Sequence, residues 1–499
     1  MFYTSTRDKS LKVTSAEAIT KGISAEGGLF VPCEVPQVDL DFIASMKDMS
    51  YIERAKKVLS LYLTDFTAEE IAAFVEGAYK EGKFSSDEVA PVVNLHDNVN
   101  ILELWHGPTC AFKDMALQLL PYLLIGSSKK TLKDKEIVIL VATSGDTGKA
   151  ALEGFKDVDS TKILVFYPND GVSPMQKRQM CTQEGNNVGV CAINGNFDDA
   201  QTGVKTIFTD AEIKEVFEKN NLVFSSANSI NWGRLVPQIV YYFSAYCDML
   251  KQGKINLGDK INVVVPTGNF GNILAANYAM KMGLPLNKLI CASNANNVLT
   301  DFITTGKYDR NRSFYATISP SMDILISSNL ERLMFTLHGE DDAAVRELYG
   351  SLKDNGVFEV SADVLDKIKA LYSAGCCDDE ETKATIKTVY EKYNYLADTH
   401  TAVAIKVYDD YKKETGDDTP VVIASTASPY KFCASVLTAI EGSADGDEFS
   451  MLTQLEEKTG VIAPAQLRGL ENKEVRFNNV CEKDADSMRK VCFNMLGIE

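Results

Sequence analysis

A chain of 499 residues exceeds the size at which a single hydrophobic core stops growing, so two or more domains are expected. Its 45% hydrophobic and 24% charged residues are ordinary for a globular protein, and a formal charge of -18 excludes a general binder of nucleic acid or of anionic membranes. A small anionic ligand remains open, because the field inside a pocket can oppose the net charge.

Residues 1–8 have no apolar run of signal-peptide form. Eleven cysteines without a C-x-x-C pair, with Cys376 and Cys377 adjacent, predict reduced thiols and a cytoplasmic protein. The longest apolar-rich stretch, 239–250, is too short for a bilayer and contains Ser244 and Asp248. Residues 1–95 read as an N-terminal α+β domain. In it, residues 27–32 turn into an extended stretch and residues 51–81 have helical periodicity.

Beyond that point apolar strands alternate with helices. Strands are predicted at 136–142, 162–167, 187–193, 262–266, 288–292 and 420–425, several as continuous apolar runs suited to a parallel sheet covered on both faces. Helices at 149–155, 233–250 and 273–282 complete an α/β rhythm. One α/β domain is expected over 96–255 and a second over 256–450. The acidic stretch 339–398, with Asp378-Asp379-Glu380-Glu381, breaks the rhythm and reads as a helical insertion. Residues 451–499 form a charged C-terminal segment.

Lys113 lies among Ala111, Phe112, Met115 and Ala116, and desolvation by such neighbours lowers the proton affinity of an ammonium. A neutral lysine can form a Schiff base with a carbonyl cofactor; the plain alternative is a helix lysine reaching past apolar neighbours to solvent. Strand 136–142 runs into Thr143-Ser144-Gly145-Asp146-Thr147-Gly148 and then a helix, a geometry that points N–H groups and a positive helix end at an anion. Asp146 or Thr147 as an ordinary N-cap is the alternative. A P-loop is excluded, because Lys149 is followed by Ala150 and Thr143 stands where its first glycine belongs.

The same strand–loop–helix order recurs at Gly268-Asn269-Phe270-Gly271-Asn272, where the glycines let the backbone approach a phosphate. Asn228, Ser229 and Arg234 form a polar cluster at a helix start, and Arg234 could clamp a phosphate or simply lie exposed. Thr426 ends an apolar strand and reads either as a hydroxyl at a cofactor edge or as a turn residue. The four histidines lack metal-ligand spacing, and no G-x-S-x-G elbow is present.

Taken together, these motifs resemble those of the threonine synthases, fold-type-II enzymes of pyridoxal 5'-phosphate, in their long microbial and fungal form. The likeness runs from Tyr3-Thr4-Ser5-Thr6-Arg7 and Gly27-Gly28-Leu29-Phe30-Val31-Pro32 through His106-Gly107-Pro108-Thr109-Cys110-Ala111-Phe112-Lys113-Asp114. It continues in the loops at 144–148 and 268–272 and in Asp398-Thr399-His400-Thr401. The resemblance implies a tryptophan synthase β-like α/β fold and the conversion of O-phospho-L-homoserine and water into L-threonine and phosphate. A threonine or serine dehydratase-like enzyme is the alternative, although it has no need of a second phosphate site. A monomer or homodimer is expected, with no nucleic-acid or membrane partner.

Carried over position by position, the resemblance makes Lys113 the covalent anchor of the cofactor and then the base that moves protons. Gly268, Asn269, Phe270, Gly271 and Asn272 would cradle the cofactor phosphate, and Thr426 would meet the pyridine nitrogen. Thr143, Ser144 and Asp146 would line the place of the substrate carboxylate and the cofactor's ring oxygen. Thr147, Asn228, Ser229 and Arg234 would bind the substrate phosphate. Two positions depart from the family pattern: Asp146 stands where relatives often have Asn, and Ser428 where the family usually has His.

Overall fold

Two sheets with mostly parallel strands hold the motifs, each loop of interest leaving the carboxyl end of a strand. The computed structural model describes residues 1–132 and 135–498. In chain order its strands begin with β1 (Tyr3–Ser5), β2 (Asp8–Val13), β3 (Phe30–Pro32), β4 (Val92–His96) and β5 (Val99–Glu103). They continue with β6 (Glu136–Ala142), β7 (Thr161–Pro168), β8 (Val188–Asn194), β9 (Leu222–Ser225), β10 (Ile261–Pro266) and β11 (Leu286–Ser293). Last come β12 (Lys307–Asp309), β13 (Val357–Glu359), β14 (Tyr372–Cys376), β15 (Val421–Ser425) and β16 (Val480–Glu482).

The smaller of the two sheets has the order β16-β8-β7-β6-β9, all parallel. The larger has the order β14-β11-β10-β15-β5-β4, parallel except for the β4–β5 hairpin. Strand β10, Ile-Asn-Val-Val-Val-Pro, is buried at every position, as a strand covered on both faces must be. The six predicted strands are all present, within two residues at either end. The helix Trp232–Lys251 is almost wholly buried and packs against the helices Tyr51–Tyr62, Asp114–Leu117 and Gly271–Met282. It therefore joins the N-terminal region to both loops that carry chemistry. Among the described residues no helix is long and apolar enough to cross a membrane.

Several expectations need correction. The periodic stretch 51–81 is two helices, Tyr51–Tyr62 and Ala68–Tyr79, because Thr67 and Glu70 form a capping box that starts the second. The stretch 339–398 is not purely helical: β14 is the edge strand of the larger sheet, paired in parallel with β11. Its residues Tyr-Ser-Ala-Gly-Cys make no apolar run, since an edge strand is covered less than a central one. The acidic run within that stretch caps the helix Asp379–Tyr393 through Asp378 and Glu381. A boundary at 95/96 would cut the β4–β5 hairpin, whose β5 pairs with β15. The C-terminal segment adds β16 to the edge of the smaller sheet beside β8.

The helix Asp146–Phe155 lies so close to Asp114–Leu117 that a Cβ at Gly154 would collide with the Leu117 carbonyl oxygen. That contact fixes the short helix whose N-cap is Lys113. Gly154→Ala should therefore cost about 1–3 kcal/mol through overpacking against backbone, read as a lower urea midpoint at unchanged m-value.

Candidate active site

Lys113 is held by a short antiparallel stitch. Phe112 N–H donates to the Thr426 carbonyl at 2.8 Å, Ser428 N–H donates to the Cys110 carbonyl at 3.0 Å, and Ala111 bridges Ala427. Cys110 adopts a left-handed φ of 59°, which turns the chain from the stitch into the Lys113 helix. Lys113 is 9% exposed, and its Nζ lies 4.8 Å from the centre of the Phe112 ring, 3.4 Å from Ser321 Oγ and 3.7 Å from Asp146 Oδ2. Burial drives its ammonium down to about 8 against the pull of Asp146, with Lys431 and Arg234 adding to the fall. The neighbour Asp114 accepts from both Thr109 N and Thr109 Oγ1, and burial nonetheless raises its carboxyl to about 6.

Asp146 is the first residue of its helix rather than the cap; Gly145 is the N-cap, with a φ of 138° that few other residues tolerate. A side chain at Gly145 would also collide with Gln176. Asp146 Oδ1 lies 2.6 Å from Lys431 Nζ and accepts from Gln176 Nε2 at 2.9 Å, while Oδ2 accepts from Ser321 Oγ at 3.3 Å. Burial alone would raise this carboxyl, but Lys431 and Lys113 hold it far below the usual carboxylate range. Asp146 is therefore an ionised acceptor between two lysines. Removing one partner of a buried pair of this kind typically costs about 3–5 kcal/mol.

The other hydroxyls of this loop divide. Thr143 Oγ1 accepts from Gly145 N at 3.0 Å and Gly148 N at 2.9 Å, so its lone pairs brace the loop and only its proton is left for a ligand. Ser144 and Thr147 are half-buried, and neither hydroxyl bonds to another described residue.

In the second loop Phe270 takes a left-handed φ of 62° directly before the helix Gly271–Met282. A Cβ at Gly268 would come within 2.6 Å of the Ser321 carbonyl oxygen, so glycine is required by a close approach there. Asn269 is exposed; Asn272 is buried, its Oδ1 accepting from Tyr241 and Tyr242 while its Nδ2 has no partner. Arg234 is 3% exposed, donates from Nη1 to the Ala227 carbonyl at 2.5 Å, and leaves Nε without a partner. The exposed-arginine reading is therefore set aside. Burial lowers this guanidinium to about 10. Asn228 and Ser229 are half-buried in the preceding loop.

Sequence reasoning missed the residues that bring these pieces together. Asn329 Nδ2 donates to the carbonyls of Ser229 at 3.3 Å and Asn269 at 3.0 Å, joining the two anion-receptive loops. Ser321 reaches Lys113 and Asp146 with its hydroxyl, and its backbone N–H donates to His400 Nε2 at 3.2 Å. His400 in turn sits 2.9 Å from Asp398 Oδ1 through Nδ1, which fixes the acceptor role of Nε2. Lys431 is wholly buried, and the signal for it in the sequence is its place three positions after Ser428, whose Oγ caps the turn by accepting from Tyr430 N at 3.3 Å. Thr426 is buried, and its hydroxyl bonds to no other described residue.

Three family profiles cover the chain: "Threonine synthase N terminus" over residues 2–79, "Pyridoxal-phosphate dependent enzyme" over 93–427 and "Threonine synthase, C-terminal" over 401–492. Human threonine synthase-like 1 is 41% identical over 436 residues; the alignment covers 85% of this chain and 58% of that protein, so the chain spans less than two thirds of this relative's length. The threonine synthase of Schizosaccharomyces pombe is 37% identical over 472 residues, covering 89% of this chain and 90% of that one. A crystal structure of threonine synthase from Brucella melitensis with bound pyridoxal phosphate superposes with a TM-score of 0.87 at 38% identity, covering 99% of each chain. The fold is thus that of the fold-type-II enzymes of this cofactor, and the chain belongs to the threonine synthase family.

Proposed function

We propose that the chain converts O-phospho-L-homoserine and water into L-threonine and inorganic phosphate. The observation that carries this reading is a buried lysine accompanied by two separate unpartnered donors, Asn272 Nδ2 and Arg234 Nε. Buried polar groups are nearly always paired, so two orphans in the first turns of two different helices suit two anionic groups, one on the cofactor and one on the substrate. A dehydratase needs only the first.

Pyridoxal 5'-phosphate, the cofactor of this family, supplies the electron sink that stabilises negative charge at the substrate Cα. The residues present fit it. Lys113 is an amine whose neutral form is accessible near pH 8. Gly268, Asn269, Phe270, Gly271 and Asn272 would hold its phosphate at a helix N-terminus, and the free hydroxyl of Thr426 would meet its ring nitrogen.

The protein's own groups then divide the work. Arg234, with Thr147, Asn228 and Ser229, binds and orients the substrate phosphate at Cγ. Ser144 and the one free proton of Thr143 receive the substrate carboxylate. Lys113, once released from the cofactor, takes the proton from Cα and later returns a proton at Cγ, and the departing phosphate takes the proton from Cβ. Water adds its hydroxyl at Cβ, its remaining proton passes by way of Lys113 to Cα, and burial of the site keeps other water from the reacting carbons. One chain brings this whole set together, which suits a monomer as well as a homodimer. A cytoplasmic location fits the eleven cysteines, all free thiols.

Lys113→Ala should abolish the visible absorbance of the cofactor-bound enzyme and lower phosphate release from O-phosphohomoserine by at least about 10²–10⁴-fold. A variant that keeps both would overturn the assignment. Arg234→Ala should raise the KM for O-phosphohomoserine by roughly 10–100-fold, equivalent to about 1.5–3 kcal/mol for charged hydrogen bonds, at unchanged cofactor absorbance. Loss of cofactor with unchanged KM would move Arg234 to the other anion site. Because only the neutral amine captures an aldehyde, the rate at which cofactor-free enzyme takes up the cofactor should climb with pH and level off above about 8. Stopped-flow absorbance reads that profile directly.

A further inference from the structure

Lys431 enters no step above, yet it is wholly buried beside the reacting lysine. It ends the short turn Pro429–Lys431, which Ser428 caps, and the stitch from Ser428 N to the Cys110 carbonyl ties that turn to the Lys113 segment. Its ammonium lies 2.6 Å from Asp146 Oδ1 and donates to the Thr109 carbonyl at 3.1 Å. Two of its three donors are therefore spent inside the protein, which disfavours a role as a ligand for the substrate phosphate. The second oxygen of the same carboxylate lies 3.7 Å from Lys113 Nζ.

We propose that Lys431 is a positioning residue: it pins Asp146 as an anion in one place, so that a fixed carboxylate faces the nitrogen of Lys113 throughout turnover. This inference rests on the reading of Lys113 as the cofactor's anchor. The groups that face Lys113 come from every neighbouring element. Asp146 comes from the helix Asp146–Phe155, Lys431 from its turn, and Arg234 from the helix Trp232–Lys251. Ser321 comes from the turn Pro320–Met322, backed by His400, and Asp114 lies next along the chain. Cys110, Lys149 and Glu153 stand further off around Asp114 and Lys431.

The two halves of the pair act on Lys113 with opposite sign. Asp146 favours the protonated nitrogen and Lys431 opposes it. Loss of Lys431 alone should therefore raise the pH midpoint of that nitrogen, and loss of the carboxylate alone should lower it. A lysine that served only the packing of its turn would affect stability without moving the midpoint.

The test is a spectrophotometric pH titration of the visible cofactor band in the loaded enzyme. Relative to wild type, Lys431→Met should raise the midpoint by about one unit and Asp146→Asn should lower it by about one unit. The double variant should fall between them. Midpoints that coincide in all cofactor-binding variants overturn the proposal. If Lys431→Met does not fold, the double variant, which leaves no charge of the pair unpartnered, is set against Asp146→Asn. Its midpoint must lie above that of Asp146→Asn, and equality overturns the proposal. A wild-type band that persists in Lys113→Ala would instead refute the anchor reading itself, so the two failures are distinguishable.

Discussion

Two buried lysines share one carboxylate, a third buried cation, Arg234, opposes the charge on Lys113, and the site's chemistry depends on that imbalance. Lys113, Lys431 and Arg234 are each shielded from water, and among the described residues only Asp146 lies within ion-pairing distance of any of them. Burying an unpaired charge is expensive, so a protein that tolerates two surplus cations holds a place for anions that arrive with its ligands. The phosphate groups of the cofactor and of the proposed substrate would be such anions. The same imbalance explains how a protein of formal charge -18 can hold a pocket that attracts anions: the field that matters is the local one. It also couples ligand binding to stability, since ligands that cancel the surplus bind the folded chain and not the unfolded one.

Much of this was legible in the sequence because it is local. Lys113 has apolar neighbours along the chain, and the loops at 143–148 and 268–272 each follow an apolar strand directly. The six predicted strands are the ones with continuous apolar runs. Among the strands not predicted, β5 has its apolar run broken by Asn100, its hairpin partner β4 is only partly buried, β9 spans four residues, and β14 is an edge made of small and polar residues. The missed site residues share a different property. Ser321, Asn329 and Lys431 sit in turns or at a helix start whose partners lie far away in the chain, so no pattern around them announces a function. Thr143 was legible as a hydroxyl but not as one whose acceptor capacity is already consumed.

The N-terminal region also acquires a reason to exist. It contributes none of the residues assigned to cofactor or substrate, yet it meets the site through Arg332, which is fully buried. Arg332 donates from Nε to the Phe30 carbonyl on β3 at 2.9 Å, from Nη2 to the Ile230 carbonyl at 2.6 Å, and from Nη1 to Asn329 Oδ1. Beside it, Glu331 accepts from Thr6 at 2.6 Å and pairs with Arg7 at 2.7 Å. A single guanidinium thus ties β3 of the N-terminal region to the loop before Arg234 and, through Asn329, to the loop that begins at Gly268. A planar fork of donors suits that task better than a point charge, because it fixes direction as well as distance. The two proposed anion sites must keep a constant separation if a cofactor and its substrate are to meet between them. Arg332 and Asn329 supply that constancy from outside both loops.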